Sequence, residues 1–361
     1  MKERLNILIV KLSAIGDVVH TLPALNAIRR HYPQAHISWL VEEAAADLVL
    51  GHPALDEVLV SRRKTWIKGL KSLQWRSHLK ALTAFLGTLR NRRYDLLFDF
   101  QFSLKGAVLI ALTHADRKIG FDRGLEHQER SYLVLNERIP AVSMEIHALE
   151  RGLLMLNAVG IVSDRIEYRL PTTSEHQRQA KELLSRSGLS ADQPYAAINP
   201  MAKWESKLWI PERFAAVADT LQKDYKLPVI FTGAPEDRLY IDAILGNMQT
   251  KAPNLAGQTS LLVLAALLQK ATVMVTTDTG PMHIAAAVET PCVALFGPTA
   301  PWRTGPYGPD HRVIQARKEC QPCFKRRCPL AETCMAAIGV EEVLAGVGAV
   351  IKEQNYQKHS L

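Results

Sequence analysis

Apolar residues in this chain recur in two alternating rhythms. Leu5–Lys11 is a short apolar run of the kind that forms a strand buried on both faces. After a turn, helical spacing continues to about His31, with Pro23 inside it and expected to kink it. Ala35–Glu42, Asp56–Val60 and Tyr94–Gln101 read as further strands, and Lys105–Thr113 as a helix. Between them Trp66, Ile67, Leu70, Leu73, Leu79, Leu82, Phe85, Leu86 and Leu89 fall every three or four positions, which predicts an amphipathic helix. The pattern fades over Ile161–Ser190, where Pro171-Thr172-Thr173-Ser174 reads as a linker or a helix start. A second series follows. Tyr195–Asn199, Leu227–Thr232, Thr272–Thr276 and Cys292–Phe296 are strand-like, and Pro211–Asp224, Pro235–Met248, Leu261–Gln269 and Ile284–Val288 are helical.

Strands alternating with helices at short spacing predict an α/β fold with parallel sheets covered on both faces. Two such halves imply two domains: residues 1–170, and residues 175–340 followed by a helix or tail over 341–361. That tail is polar after Gln354 and is expected either to be loose or to pack back on the first domain. A cleft is expected between the halves, at the carboxyl ends of both sheets, where ligands of such folds bind.

Composition narrows the picture. The 361 residues suit two domains of ordinary size, and 47% hydrophobic with 22% charged residues excludes disorder. No apolar run reaches the roughly 18 residues of a membrane-spanning helix. Leu5–Val10, followed by Lys11, is too short for a secretory signal, so a cytoplasmic protein with reduced thiols is expected. The net charge is +8, yet residues 61–93 alone carry ten Lys or Arg and no Asp or Glu, leaving −2 for the rest. This segment is either a solvated basic face or a surface for an anionic membrane or phosphorylated acceptor. Nucleic acid is not expected, because no nucleic-acid module accompanies it.

Two loops carry the candidate chemistry. Ser13-Ala14-Ile15-Gly16-Asp17 joins the first strand to the first helix. Gly16 permits close approach of another group. Asp17 is either a helix cap or a general base; no G-x-G-x-x-G follows the strand, which argues against a dinucleotide enzyme. The second loop, Thr276-Thr277-Asp278-Thr279-Gly280-Pro281-Met282-His283, leads a strand into a small-residue helix whose N-terminal amides fit a pyrophosphate. Asp278 is a cap or a site residue, and His283 a donor or a structural histidine. Asn199–Trp209 adds Lys203 and Lys207 beside Trp204 and Trp209. Thr232–Asp237 adds acids suited to ribose hydroxyls.

Together these segments resemble bacterial heptosyltransferases of glycosyltransferase family 9, nearest the heptosyltransferase I type. The resemblance rests on KLSAIGDVVHTLPAL (Lys11–Leu25), RRKTW (Arg62–Trp66), DFQFSLK (Asp99–Lys105), KLWIPE (Lys207–Glu212), Asp278–Ala287 and FGPT (Phe296–Thr299). It implies a GT-B architecture, two Rossmann-like doubly wound domains facing a central cleft. The first domain would bind the acceptor and the second the nucleotide sugar. The implied reaction is inverting transfer of L-glycero-D-manno-heptose from ADP-heptose to a Kdo residue of lipopolysaccharide (Kdo-lipid A), at the cytoplasmic face of the inner membrane. Asp17 would be the base and Lys207 would face the diphosphate, with Asp278, Thr279, Gly280 and His283 around it. Glu236 would contact the ribose. Arg62, Arg63 and Lys64 would meet the acceptor beside Ser13, Gly16 and Lys105. The chain has no Asp-x-Asp pair to chelate a metal, so lysine and helix terminus would replace one, and no cofactor is required. Another family 9 transferase, or a binder of nucleotide or lipopolysaccharide precursor without catalysis, is the alternative.

Cys320, Cys323, Cys328 and Cys334 are spaced C-x₂-C-x₄-C-x₅-C, with Cys292 apart. Reduced structural thiols are expected over a zinc or iron–sulfur site, because only one C-x₂-C knuckle is present. The cluster departs from the heptosyltransferase I pattern and leaves the acceptor open between the first and a later heptose transfer. The oligomeric state is not legible.

Overall fold

A computed structural model describes residues 4–69, 71, 75–125, 129–190 and 192–359. The chain divides into two compact units, Met1–Pro171 and Thr172–Leu361. Leu70 and Leu73, counted above toward the basic amphipathic helix, lie outside the described residues.

The first unit runs β1 (Asn6–Val10), α1 (Ile15–His31), β2 (His36–Glu42), β3 (Glu57–Ser61), α2 (Arg63–Gly69), α3 (Trp75–Asn91), β4 (Arg93–Asp99), α4 (Leu104–Ala111), β5 (His114–Phe121), β6 (Glu137–Ile139) and α5 (Ala148–Asn157). All its strand pairs are parallel, in the order β3-β2-β1-β4-β5-β6. β1 is central, and Ile7, Leu8, Ile9 and Val10 are fully buried. α1 continues through Pro23 and packs on α5. The basic segment forms two helices instead of the one its spacing predicts, and Trp66 of α2 lies against Phe85 of α3 with ring centroids 5.0 Å apart.

The second unit holds α6 (Ser174–Arg186), β7 (Ala196–Asn199), α7 (Pro211–Lys223), β8 (Val229–Phe231), α8 (Arg238–Gly246), α9 (Leu261–Leu268), β9 (Val273–Thr277), α10 (Gly280–Ala287), β10 (Cys292–Phe296), α11 (Pro301–Thr304), β11 (Arg312–Gln315) and α12 (Val340–His359). Its strands are parallel in the order β11-β10-β9-β7-β8. Helix starts follow local chemistry. Thr173 caps α6 and Ser260 caps α9 with their hydroxyls, and Pro211 opens α7 where its missing N–H costs nothing. α9 is apolar throughout because Leu262–Leu268 is entirely buried. α12 lies on α7 and on β9, β10 and β11 of its own unit, with the Gln354 amide donating to Thr272 O at 3.0 Å. No helix of the described residues is long and apolar enough to cross a membrane.

Each sheet has one place where the strand order reverses: between β1 and β4 in the first, and between β7 and β9 in the second. At such a point the two following loops diverge and leave a crevice beyond the strand ends, where open α/β sheets bind their ligands. The loops after these four strands, or the first helical turns they lead into, carry Asp17, Lys105, Lys207 and Asp278.

Candidate functional site

The loop after β1 in the first unit is braced by the loop after β4. Gln101 Oε1 accepts from the amides of Leu12 (2.7 Å) and Ser13 (3.1 Å), holding both N–H groups in place. Gln101 is itself fixed by Asp99, whose Oδ1 accepts from the amides of Gln101 (2.9 Å) and Phe102 (3.2 Å). Lys11 Nζ reaches Phe100 O at 2.9 Å, and its carbonyl accepts from the Trp39 indole at 3.0 Å. Lys11 and Asp99 are both buried. Burial, the larger influence, holds the Lys11 ammonium below its usual range although Asp17 and Asp99 act to raise it. It likewise pushes the Asp99 carboxyl up.

On this brace, Lys105 Nζ donates to Ser13 Oγ (2.5 Å) and lies 3.4 Å from Glu42 Oε1. Arg63 reaches the same Glu42 oxygen at 3.3 Å, while Arg62 pairs with Glu43 at 3.4 Å. Ser13, Arg63 and Lys105 therefore share one polar cluster, and Arg62 borders it. Lys64 is exposed, and no ion pair is seen for it among the described residues. The sequence reading missed Glu42, the buried acid at the centre. Its one signal was a carboxylate at the carboxyl end of a strand that is otherwise largely apolar.

Asp17 occupies the third position of α1, with Ala14 as the N-cap, and Gly16 is buried beside it. Its Oδ2 accepts from Ala14 N at 2.9 Å. Asp17 is thus not the N-cap but lies inside the helix, with one oxygen reaching back to the N-cap amide. The side chain is half-exposed, so the carboxylate combines a fixed rotamer with access to solvent.

In the second unit, Lys207 Nζ lies 2.6 Å from Asp278 Oδ2, and Thr299 Oγ1 donates to that oxygen at 2.6 Å. Asp278 is thus a lysine partner and not the helix cap; the cap of α10 is Thr279. The pair is largely buried, with side-chain exposures of 14% for Lys207 and 7% for Asp278. Lys207 also stands over the Trp204 ring, 4.5 Å from its centroid, and Arg326 stands 5.7 Å from the same centroid. Trp209, the other tryptophan of this loop, is instead a core residue whose indole donates to Ile338 O at 3.1 Å. Gly280 opens α10, and His283 is buried in its first turn. The loop after β8 makes a short turn over Pro235–Asp237 before α8 begins. There Asp237 accepts from Ala234 N at 2.7 Å, and burial pushes its carboxyl up. Glu236 is left exposed. Lys207, Asp278, Thr279 and Gly280 thus surround the switch point of the second sheet: a cation, its anchoring acid and a helix N-terminus suited to a diphosphate.

The model of glycosyltransferase family 9 (heptosyltransferase) matches residues 82–333. The chain is 29% identical over 336 residues to lipopolysaccharide heptosyltransferase 1 of Pseudomonas aeruginosa, covering 91% of this chain and 89% of that protein. It superposes on the E. coli heptosyltransferase WaaC, solved with ADP, with a TM-score of 0.76 and 25% identity, covering 96% of this chain and all of that one. A family 9 glycosyl transferase from Veillonella parvula shares the fold with a TM-score of 0.79 at 23% identity, covering 97% of both chains. With its two Rossmann-like sheets and its loops at their switch points, the chain belongs to glycosyltransferase family 9 and is a heptosyltransferase of GT-B type.

Proposed function

We propose that the enzyme moves L-glycero-D-manno-heptose from ADP-heptose to a Kdo residue of Kdo-lipid A, with inversion at the anomeric carbon. The reading is carried by the Lys207–Asp278–Thr299 set beside the start of α10, in a chain similar to a heptosyltransferase solved with ADP. The first unit would serve the acceptor and the second the nucleotide sugar. Asp17 takes the proton of the acceptor hydroxyl as its oxygen forms a bond to the anomeric carbon. The bond from that carbon to the diphosphate oxygen breaks on the opposite face, and the electron pair leaves with ADP. A carboxylate base in this role contributes about 10²–10⁴-fold. Negative charge grows on the diphosphate during this step. Lys207, aimed by Asp278, and the amides at Thr279 and Gly280 meet it in an orientation already fixed by the fold, so they favour the transition state over the ground state. His283 and Glu236 complete the donor side, the latter toward the ribose. Ser13, Gly16, Arg62, Arg63, Lys64 and Lys105 serve the anionic acceptor, drawn from an anionic membrane surface on the cytoplasmic side.

One observation favours a second acceptor. The cysteine-rich segment departs from the heptosyltransferase I pattern, so an already heptosylated core competes with Kdo-lipid A as substrate. The test is ADP release from ADP-heptose in the presence of defined Kdo-lipid A or its heptosylated form. Release that depends on Kdo-lipid A is expected. Release only with the heptosylated form moves the enzyme one step later, and nucleotide binding without release under either condition abandons catalysis.

A further inference from the structure

Four of the five cysteines fall within fifteen residues, and the fold turns that closeness in sequence into convergence in space. Cys320, Cys323, Cys328 and Cys334 line a single pocket of the second unit. All four are free thiols. Lys318, Lys325 and Glu332 line the same pocket, and the two lysines outweigh the one acid, a balance that would offset part of the surplus negative charge of four thiolates around a divalent ion. The segment between β11 and α12 has little regular structure to hold it, with one short turn at Cys334–Ala337, so its conformation needs another source of order.

What order it has comes from the donor loops. The Cys323 and Phe324 amides donate to Pro298 O at 3.0 and 2.9 Å, and the Gln321 side chain donates to Gly297 O. A Cβ at Gly297 would come within 2.9 Å of Cys334 Sγ and 2.6 Å of Met335 Sδ, so any larger residue there would push these side chains aside. On the other side Ser206 donates through its hydroxyl to Lys325 O (2.6 Å) and through its amide to Arg326 O (3.2 Å). The cysteine segment is thereby tied to the residues on either side of the Lys207–Asp278–Thr299 set.

We propose that the four cysteines bind one thiophilic divalent metal ion, zinc by preference, as a structural tetrathiolate site that fixes this segment. Four sulfur ligands with no open position is the arrangement of structural zinc, and soft thiolates select such ions over magnesium or calcium. Binding releases the four thiol protons to solvent and changes no oxidation state. Among the described residues no three His, Cys, Asp or Glu side chains are gathered closely enough to hold an ion as they stand, so binding requires the sulfurs to move inward. The site does not depend on the proposed substrates; only its bearing on the Lys207 corner rests on that reading.

The full chain, purified without chelator and reconstituted with zinc alone, is expected to carry one metal ion per chain by elemental analysis. Substitution with cobalt should give the thiolate-to-cobalt charge-transfer band in the near ultraviolet. The pair Cys323→Ser with Cys328→Ser should lower metal content at least tenfold, and Cys292→Ser should leave it unchanged. The stoichiometry and the cobalt spectrum of the unaltered chain stand even if the double variant fails to fold. Less than a tenth of an equivalent of metal after reconstitution, with all four thiols reacting with Ellman's reagent equally with and without zinc, overturns the proposal. So does a metal-free chain in which these thiols are lost to disulfides.

Discussion

At Asp17 one carboxylate oxygen is committed to the Ala14 amide and the side chain keeps its access to solvent. Asn at this position retains an oxygen for that bond and loses the base. Asp17→Asn is therefore expected to fold normally and bind ADP within about twofold of the parent, while turnover falls about 10²–10⁴-fold. Unchanged turnover removes Asp17 from the mechanism. Lys207 is the second test. Removing its charge strands Asp278 with Thr299 alone, and breaking a mostly buried pair costs on the order of 3–5 kcal/mol. Lys207→Met should lower the unfolding midpoint and raise the donor KM. Adding Asp278→Asn should recover much of the midpoint and none of the KM, which separates stability from binding. Asp17 and Lys207 stood out in the sequence because each lies in a segment that follows a strand-like run and resembles family 9. Glu42, Gln101 and Thr299 had no assigned part, since what they do depends on partners 20 to 90 positions away.

Among the elements, α2 and α3 show how a charge count can mislead. The segment contains no acid, yet Arg62, Arg63, Arg92 and Arg93 pair with Glu43, Glu42, Glu57 and Asp116 from elsewhere. Among the described residues no ion pair is seen for Lys68, Arg76, Lys80 or Arg90, while Trp75 and Leu79 remain exposed on α3. That combination suits an anionic lipid surface, where each cation contributes about 1 kcal/mol. Arg76→Glu together with Lys80→Glu should weaken binding to vesicles containing anionic lipid by at least about tenfold, by that same increment. Binding of the parent should fall as salt rises. Turnover on a short water-soluble acceptor should not change. Equal binding of both proteins to neutral and anionic vesicles refutes a role for this face at the membrane.

For the molecule as a whole, acid stability gives a test of packing independent of catalysis. His52 is buried, its Nδ1 accepts from Ala54 N at 3.1 Å, and burial holds the imidazole down to about 4. An imidazole depressed in the folded state favours folding above its ordinary value of 6.5. That contribution disappears as pH falls from 6.5 through 4, because the unfolded chain takes up the proton first. A loss of up to about 3 kcal/mol across that window is expected from this residue. His52→Asn, which keeps an acceptor for Ala54 N, should flatten the dependence of unfolding free energy on pH between 6.5 and 4. An unaltered slope would show that His52 does not carry it.

The sequence alone determined the succession of strands and helices, the loops that follow the strands and the amide-rich start of α10. All of these are set locally, by the period of apolar residues and by Gly, Pro and hydroxyl side chains at the boundaries. It did not reveal β5, β6 or β11, short or mixed strands whose burial comes from neighbours and not from their own pattern. Tertiary structure decided which strands lie side by side. Placing β1 against β4 and β7 against β9 requires crossovers that cover both faces of each sheet, a global demand that no window of residues encodes. That adjacency brings Gln101 under Ser13 and sets Lys207 on Asp278.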